Sequence, residues 1–365
     1  MNKKLSKFGM ACLFSVLIIF SSTATAETSQ PSTQQDSAAH AQFTQAYALI
    51  KENKLADAMK LLQQAADQQH PEALYVLATS YELGLGITQN FKKAHDYYHR
   101  AMLLGHRDAR FNLALLLIDA EAGFNDLARA RNLMQVLANS GDSEAQYNLS
   151  LLYKDALTST KADKTQSFFW LTKAAESGHP DAQNNLGLHF LQTKDAQKAF
   201  EWLSRSAEQG VANAQFNLAI MYERGDGITT NPTEALNLLQ SAATLGNVNA
   251  QHNLGIKYLL GEQVAKDNRQ AVTWLTQAAK QQNKKSQYLL GRLYEEGRGN
   301  IKADLQQAEN WYLLSAKQGH SESQYHLALL LAAKRDNIDA EFWANRAKET
   351  GHKKADSLLN KLKSS

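Results

Sequence analysis

The chain has 365 residues, 44% of them hydrophobic, which is ample apolar material for a large folded protein. Its 39 basic and 36 acidic residues leave a formal net charge of +3, too small for the electrostatic footprint of a protein that binds nucleic acid or an anionic membrane. The sequence has one cysteine, Cys12, so no disulfide forms within the chain.

The first 26 residues have the form of a secretory signal peptide. Three lysines precede an apolar stretch, 8–20, and residues 24–26 give an A-x-A cleavage site. The stretch is shorter than the ~20 residues that a membrane-spanning helix needs, which favours cleavage over a membrane anchor. Cys12 lies near its start and not after it, so lipidation is not expected. Cleavage removes three basic residues and leaves a mature chain with no net charge and no cysteine. We therefore predict export to the periplasm, with secretion as the alternative.

Two segments separate the signal peptide from the regular part of the chain. Residues 27–39, ETSQPSTQQDSAA, are small and polar and are predicted to form a disordered linker. Residues 40–69 have the pattern of a short helical pair, which we interpret as an N-terminal cap.

A unit of about 36 residues then repeats eight times. Its most regular mark is a leucine in a segment such as NAQFNLAIMY (213–222). The predicted repeats span 70–105, 106–141, 142–178, 179–210, 211–246, 247–282, 283–319 and 320–351, and a terminal helix, 352–365, follows as the second cap. A pair of helices this small cannot bury both faces alone, so repeats of this kind stack.

Each repeat is predicted to contain two helices. In the first, Ala214, Leu218 and Tyr222 recur at helical spacing, and a small residue follows the leucine. The second carries Ala-x-x-Trp, and all five tryptophans share this phase, which predicts packing between helices. It ends at a glycine such as Gly246. Where the link between the helices has standard length it reads Gly-x-Gly, as at Gly297, and its recurrence favours a helix stop over a phosphate-binding loop.

The combined pattern, A-x-Q-a-x-L-G-x-x-Y-x-x-G-x-G followed by A-x-x-W-x-x-x-A-A-x-x-G, resembles the Sel1-like repeat, a longer relative of the tetratricopeptide repeat. SQYLLGRLYEEGRGN (286–300) is the best match, and the resemblance covers about 280 residues. It implies an all-α fold, a right-handed α/α superhelical solenoid whose concave surface binds proteins or peptides. It also implies an adaptor function. A cysteine-rich branch of the family is linked to β-lactams, but the mature chain lacks its cysteines, so that activity is not carried over.

The sequence contains none of the strong catalytic or nucleotide-binding motifs. Five of its eleven histidines stand at one position, at the start of a first helix, which predicts a role in the turn between repeats: His70, His106, His179, His320 and His352. His95 and His99 lie four residues apart on a predicted helix, a spacing that can hold a metal, but no third ligand accompanies them. We therefore predict no catalytic residue, no cofactor and no metal site.

Two rows of residues lie opposite the packed face of the first helix. Counted from its alanine at about 100° per residue, positions +2, +3 and +6 point away from that face. Asparagines at +3 can hydrogen-bond the backbone of an extended partner, and aromatics at +2 offer stiff apolar area. The alternative is that both rows keep adjacent repeats in register. The candidate protein-binding residues are Asn112, Asn148, Asn185, Asn217, Asn253, Tyr147, Phe216 and Tyr288.

These observations favour a non-enzymatic scaffold or adaptor of the bacterial cell envelope. Its expected partner is a protein or an extended peptide, with no nucleic acid and no membrane span in the mature chain. The alternatives are a secreted, virulence-associated factor that contacts host proteins and a modulator of a peptidoglycan enzyme. A hydrolase is the rival class, but the repeat phases do not bring acidic residues and histidines together in the way that it requires.

Overall fold

The computed structural model describes residues 34–154, 163–298 and 301–363. These residues form nineteen α-helices and no β-strand. The helices are α1 (Gln34–Lys51), α2 (Leu55–Asp67), α3 (Pro71–Leu83), α4 (Phe91–Leu103), α5 (Arg107–Ile118), α6 (Leu127–Asn139), α7 (Ser143–Lys154), α8 (Lys164–Glu176), α9 (Pro180–Gln192), α10 (Ala196–Glu208), α11 (Ala212–Arg224), α12 (Pro232–Thr244), α13 (Val248–Leu260), α14 (Asn268–Lys280), α15 (Lys284–Glu296), α16 (Leu305–Lys317), α17 (Ser321–Ala333), α18 (Asn337–Glu349) and α19 (Ala355–Lys363).

The helices belong to two compact units, one ending at His179 and one beginning at Pro180. Unit 1 contains α1 to α8 and unit 2 contains α9 to α19. Within each unit consecutive helices pack as hairpins, and each hairpin packs against the next. This confirms the predicted all-α solenoid of paired helices, in which neighbouring hairpins supply the buried surface that one hairpin lacks.

The ends of the first helices confirm the interpretation of the Gly-x-Gly links. Gly297 stops α15 in the left-handed conformation, with φ of 63°, and its N–H bonds the carbonyl of Leu293. The second glycine of the link in repeat 70–105, Gly86, also has a positive φ, and a Cβ there would lie 2.9 Å from Cβ of Leu55 at the start of α2. The link therefore needs glycine both for its turn and for its approach to the preceding hairpin. The matching Gly299 lies outside the described residues.

Side-chain caps fix where the second helices begin. The carboxylate of Asp195 accepts a hydrogen bond from the backbone N–H of Lys198, and most other second helices start in the same way from Asp or Asn. Such caps satisfy N–H groups that have no partner within the helix.

The small residue after the leucine allows the two helices of a hairpin to approach closely. Gly255 on α13 faces Leu275 on α14, and a Cβ on this glycine would lie 2.7 Å from Cγ of Leu275. Gly291 faces Tyr312 in the same way. In repeats with Ala at this position, such as Ala219, the Cβ is buried in the hairpin core.

The tryptophans were predicted to pack between helices. Trp170 is buried in the apolar cluster of unit 1, whereas the other four keep part of their surface exposed. Trp274 and Trp311 pack against clusters that include the preceding hairpin, and Trp202 carries the guanidinium of Arg205 over its ring. The tryptophans thus combine core and surface contacts.

The N-terminal region differs from the prediction in one respect. Helix α1 begins at Gln34, so residues 34–39 are helical although they were assigned to the linker, and Ala39 is buried. The predicted signal peptide and most of the long link 154–166 lie outside the described residues. In the part of the chain that the structure describes, no helix is both long enough and apolar enough to cross a bilayer.

Candidate protein-binding surface

Three of the five phase-locked histidines, His70, His106 and His320, cap first helices. All five rings lie against an aromatic ring of the preceding hairpin. Nδ1 of His106 accepts a hydrogen bond from the backbone N–H of Ala109 at 3.2 Å, which caps α5. The same ring stacks on Tyr75 of α3, with the ring centroids 4.4 Å apart. Burial lowers the pKa of His106 because it disfavours the charged ring, and the neutral ring retains the acceptor nitrogen that the cap uses. The predicted turn role of these histidines is thereby explained.

The two tyrosines among the candidate protein-binding residues take part in the same kind of contact. Tyr147 stacks on His179 at 4.4 Å, and Tyr288 lies 4.9 Å from the ring of His320 in a tilted arrangement. Nε2 of His179 lies 2.9 Å from a carboxylate oxygen of Glu144, and this hydrogen bond lowers the pKa of Glu144. For these tyrosines the structure supports the alternative weighed above, in which the aromatic row holds adjacent repeats together.

Phe216 has a different environment. It is half-buried and packs against the apolar cluster of α11, α12 and α13, which includes Leu239 and Leu254. Its ring therefore belongs mainly to the hairpin core.

In unit 1 the asparagine row is engaged in internal hydrogen bonds. Asn112 donates to the hydroxyl of Tyr75 at 3.2 Å and lies 3.4 Å from that of Tyr98. Asn148 donates to the backbone carbonyl of Glu144, one turn earlier on its own helix, at 2.9 Å. Both amides thus stabilise the fold around them.

In unit 2, Asn217 and Asn253 use less of their hydrogen-bonding capacity. Asn217 on α11 donates one hydrogen bond, to Asn184 on α9 at 3.3 Å, although an amide side chain can form four. Asn185 accepts from Asn184, and the side chain of Asn253 has no hydrogen bond within the described residues. The side chains of Asn185, Asn217 and Asn253 are half-buried, so each keeps part of its surface exposed.

A third row lies beside these asparagines and was not singled out in the sequence. Leu188, Ile220 and Ile256 each follow an asparagine by three residues, one turn along the helix, and are half-buried. They are not among the side chains that pack against the apolar clusters around Leu203, Leu239 and Leu275. Position +6 points to the same side as the asparagines, so the helical angles alone could have shown that these aliphatic side chains lie beside them. We call the six residues Asn185, Leu188, Asn217, Ile220, Asn253 and Ile256 the Asn/aliphatic stripe.

A row of glutamines, also missed in the sequence, ties hairpins together. Gln251 donates from Nε2 to the carbonyl of Ala243, at the end of the preceding second helix, at 3.0 Å. Its counterpart Gln287 bonds the carbonyl of Ala279 in the same way. The glutamine of the A-x-Q pattern therefore closes the joint between repeats by bonding a carbonyl that has no partner within its helix.

Of the two histidines at metal-binding spacing, His95 packs between Arg129 and Phe124, and His99 lies beside His95 with the ring centroids 6.3 Å apart. The guanidinium of Arg129 donates to Nε2 of His95 at 3.3 Å, and Phe124 lies against the same ring. Burial and the charge of Arg129 lower the pKa of His95. No group of three or more metal-ligating side chains occurs among the residues described.

Two tyrosine–carboxylate pairs, each with a buried tyrosine and a half-buried glutamate, complete the polar interior. Tyr98 donates to Glu82 at 2.5 Å in unit 1, and Tyr312 donates to Glu295 at 2.5 Å in unit 2. Burial raises the pKa of Glu82 and that of Tyr98. Each pair joins the two helices of one hairpin. At the position of the tyrosine the other repeats carry leucine, methionine or alanine.

Comparison with proteins of known structure points to the same architecture. A protective antigen of uropathogenic Escherichia coli with an SLR fold superposes with a TM-score of 0.68 at 29% identity, over 88% of this chain and 71% of that one. A Sel1 repeat protein from Oxalobacter formigenes gives a TM-score of 0.60 at 28% identity, over 83% of this chain and 90% of that one.

Two curated relatives have regulatory names. One is "Chitin synthase regulatory factor 2" of Schizosaccharomyces pombe, 30% identical over 137 residues, which are 35% of this chain and 26% of that protein. The other is "Exopolysaccharide production negative regulator" of Rhizobium leguminosarum bv. viciae, 30% identical over 159 residues, which are 40% of this chain and 59% of that protein. The chain thus covers less than two thirds of either relative.

The family model described as the Sel1 repeat matches seven segments of the chain: 48–70, 71–106, 143–179, 180–211, 212–247, 248–283 and 284–320. Six of them are predicted repeats shifted by one residue, and 48–70 lies in the predicted N-terminal cap. The repeats predicted at 106–141 and 320–351 are not matched, yet each forms the same helical hairpin. Because the matches cover well over half of its length, the chain belongs to the Sel1 repeat family.

Proposed function

We propose that this protein is an exported, non-enzymatic scaffold of the bacterial cell envelope that binds a partner protein or an extended peptide. The Sel1 repeat is an interaction fold, and its first helices carry the binding surface in this proposal. The observation that supports it best is the Asn/aliphatic stripe of unit 2. There, amides with hydrogen-bonding capacity to spare, as at Asn217, stand beside half-exposed aliphatic side chains. Such a surface suits a peptide backbone, which offers donors, acceptors and apolar side chains together.

Site-specific photocross-linking in cells tests this proposal. A photoreactive residue at Asn217 should capture one protein reproducibly. The same residue at Asn237, which is exposed on the second helix of that repeat, is the matched control and should not capture it. Equal capture at both sites, or none at Asn217, would contradict a partner on the first-helix surface.

Export is tested separately. The N-terminal sequence of the protein recovered from the periplasm should begin at Glu27, because cleavage follows Ala26. A chain that keeps Met1 and remains with the cytoplasmic fraction would overturn the envelope assignment.

A regulatory function in surface-polysaccharide production is the second candidate. It is favoured by the names of the two curated relatives, a chitin synthase regulatory factor and a negative regulator of exopolysaccharide production. A deletion strain should change the amount of surface polysaccharide, and Ile220→Asp should fail to restore it where the wild-type gene succeeds. Unchanged polysaccharide in the deletion strain would exclude this candidate.

A further inference from the structure

The Asn/aliphatic stripe repeats the same pair of side chains on three successive first helices of unit 2. On α9, α11 and α13 an asparagine is followed, one turn later, by a leucine or isoleucine. Residues three apart on a helix lie side by side, so every repeat presents one amide next to one apolar side chain. A ligand that runs across these helices meets this pair three times.

The three first helices are direct neighbours. Asn217 of α11 bonds Asn184 of α9, and Lys257 of α13 forms an ion pair with Glu223 of α11, with 2.6 Å between the charged atoms. Helices in contact lie about 8–10 Å apart. An extended chain advances about 3.1–3.3 Å per residue, so the step from one pair to the next corresponds to about three residues of peptide.

A step of three residues selects the conformation of the ligand. In a β-strand, side chains alternate with a period of two, so residues three apart point to opposite faces. A polyproline II helix has three residues per turn, and every third side chain points the same way. Its backbone makes no internal hydrogen bonds, which leaves its amides and carbonyls available to Asn217 and Asn253.

The charges around the stripe indicate which side chains the ligand carries. The residues one turn before it are Asp181, Asn213 and Asn249, and those one turn after it are Gln192, Arg224 and Leu260. The charges of Asp181 and Arg224 have opposite signs and stand at opposite ends of different helices. Two further charges beside the stripe, Lys257 and Glu223, neutralise each other in their ion pair. Leu260 is 60% exposed and extends the apolar surface beyond Ile256. A charged peptide would gain no electrostatic attraction along such a surface, whereas uncharged apolar side chains complement it.

We propose that the stripe binds a segment in polyproline II conformation with an uncharged apolar side chain at every third position. The segment contacts Leu188, Ile220 and Ile256 in turn. Asn217 and Asn253 form hydrogen bonds with its backbone. This inference rests on the proposed function and defines the chemistry of its partner.

Two peptides of identical composition provide the test. One nine-residue peptide carries leucine at positions 2, 5 and 8, and its isomer carries the three leucines at 2, 4 and 6, with proline, alanine and glutamine elsewhere in both. Fluorescence anisotropy with the mature chain should give at least about tenfold tighter binding for the first peptide. A third peptide with lysines in place of the leucines should show no binding. If the wild-type chain binds the two isomers with equal affinity, the proposal is wrong.

Variants assign the binding to the stripe. Ile220→Asp and, as a milder change, Ile256→Ser should each lower the affinity for the first peptide at least about tenfold, or make it equal to the affinity for the isomer. Ile338→Asp is the matched control, because this isoleucine is 85% exposed on α18. It should leave the affinity for both peptides unchanged. Circular dichroism shows whether each variant is folded. A folded Ile256→Ser chain with unchanged affinity contradicts the proposal. If cross-linking at Asn217 succeeds while the isomers bind equally, the scaffold function stands and only the ligand class is wrong.

Discussion

The side chain of Gln209, at the end of α10, donates a hydrogen bond of 2.7 Å to the amide oxygen of Gln183 on α9. Gln281 makes the same bond to Gln251 at 2.9 Å. In repeat 211–246 the donor position is Leu245, which is 54% exposed, and the amide oxygen of Gln215 is buried without a partner among the described residues. One repeat of unit 2 therefore lacks a bond that its neighbours possess.

Leu245→Gln is expected to supply this missing bond. It pairs a buried acceptor and removes an exposed leucine, so the free energy of unfolding should rise by about 0.5–1.5 kcal/mol. Chemical unfolding measures the gain, and hydrogen exchange of α11 and α12 shows whether it is local. Leu104→Gln is the matched control: Leu104 occupies the same position in a repeat where Leu74 replaces the glutamine. If only Leu104→Gln raises the free energy of unfolding, or if neither variant does, the missing hydrogen bond to Gln215 is not the cause.

Gly255→Ala is expected to destabilise unit 2 although alanine favours helix. The new Cβ would lie 2.7 Å from Cγ of Leu275, and overpacking of this kind costs about 1–3 kcal/mol. Thermal unfolding measures the loss. In a Leu275→Ala background the same change should be neutral or stabilising, because the side chain in its way has gone. An equal loss in both backgrounds would show that contact with Leu275 is not the cause.

The cap at His106 makes the joint between repeats sensitive to acid. Burial lowers the pKa of His106, so the fold favours the neutral ring. The stability from this residue is complete above the unfolded-state pKa of about 6.5 and declines as the pH falls through that value toward the lower folded-state pKa. An NMR titration should place the pKa of His106 below 6.5.

His106→Asn tests the consequence. Asparagine caps the corresponding helix at Asn247, so the variant keeps a cap that does not titrate. Between pH 7 and pH 5 it should lose less stability than the wild-type chain. If the stability of both chains falls equally between pH 7 and pH 5, titration of His106 is not the cause of the acid sensitivity.

Tyr98→Phe is expected to cost about 1–3 kcal/mol, because it removes the donor that satisfies Glu82 in a buried hairpin. The pKa of Glu82, already raised by burial, should rise further, since the hydrogen bond from Tyr98 opposes that shift. Carboxyl NMR of Glu82 measures the second effect. A pKa that does not move would show that the tyrosine hydroxyl has no part in holding the carboxylate.

The periodicity of the sequence was sufficient to predict the helical hairpins. Leucines such as Leu218 and Leu254 recur once per repeat, and glycines such as Gly297 mark where helices stop, because both follow from local backbone preference and helical spacing. The phase of the histidines indicated a turn role, which the cap at His106 explains.

The sequence could not decide which side chains are consumed by the fold and which remain available. Asn112 and Asn217 occupy the same position of their repeats, yet Asn112 bonds two tyrosine hydroxyls and Asn217 makes a single hydrogen bond. Their difference depends on Tyr75, a residue 37 positions from Asn112, and therefore on how one hairpin lies on the next. The sequence by itself determined the repeat and its helices, because these depend on residues a few positions apart. The helical angles place the residues of the stripe on one side of each helix, but only the tertiary structure decided that they stay partly exposed, because exposure and hydrogen bonding depend on neighbours from other hairpins.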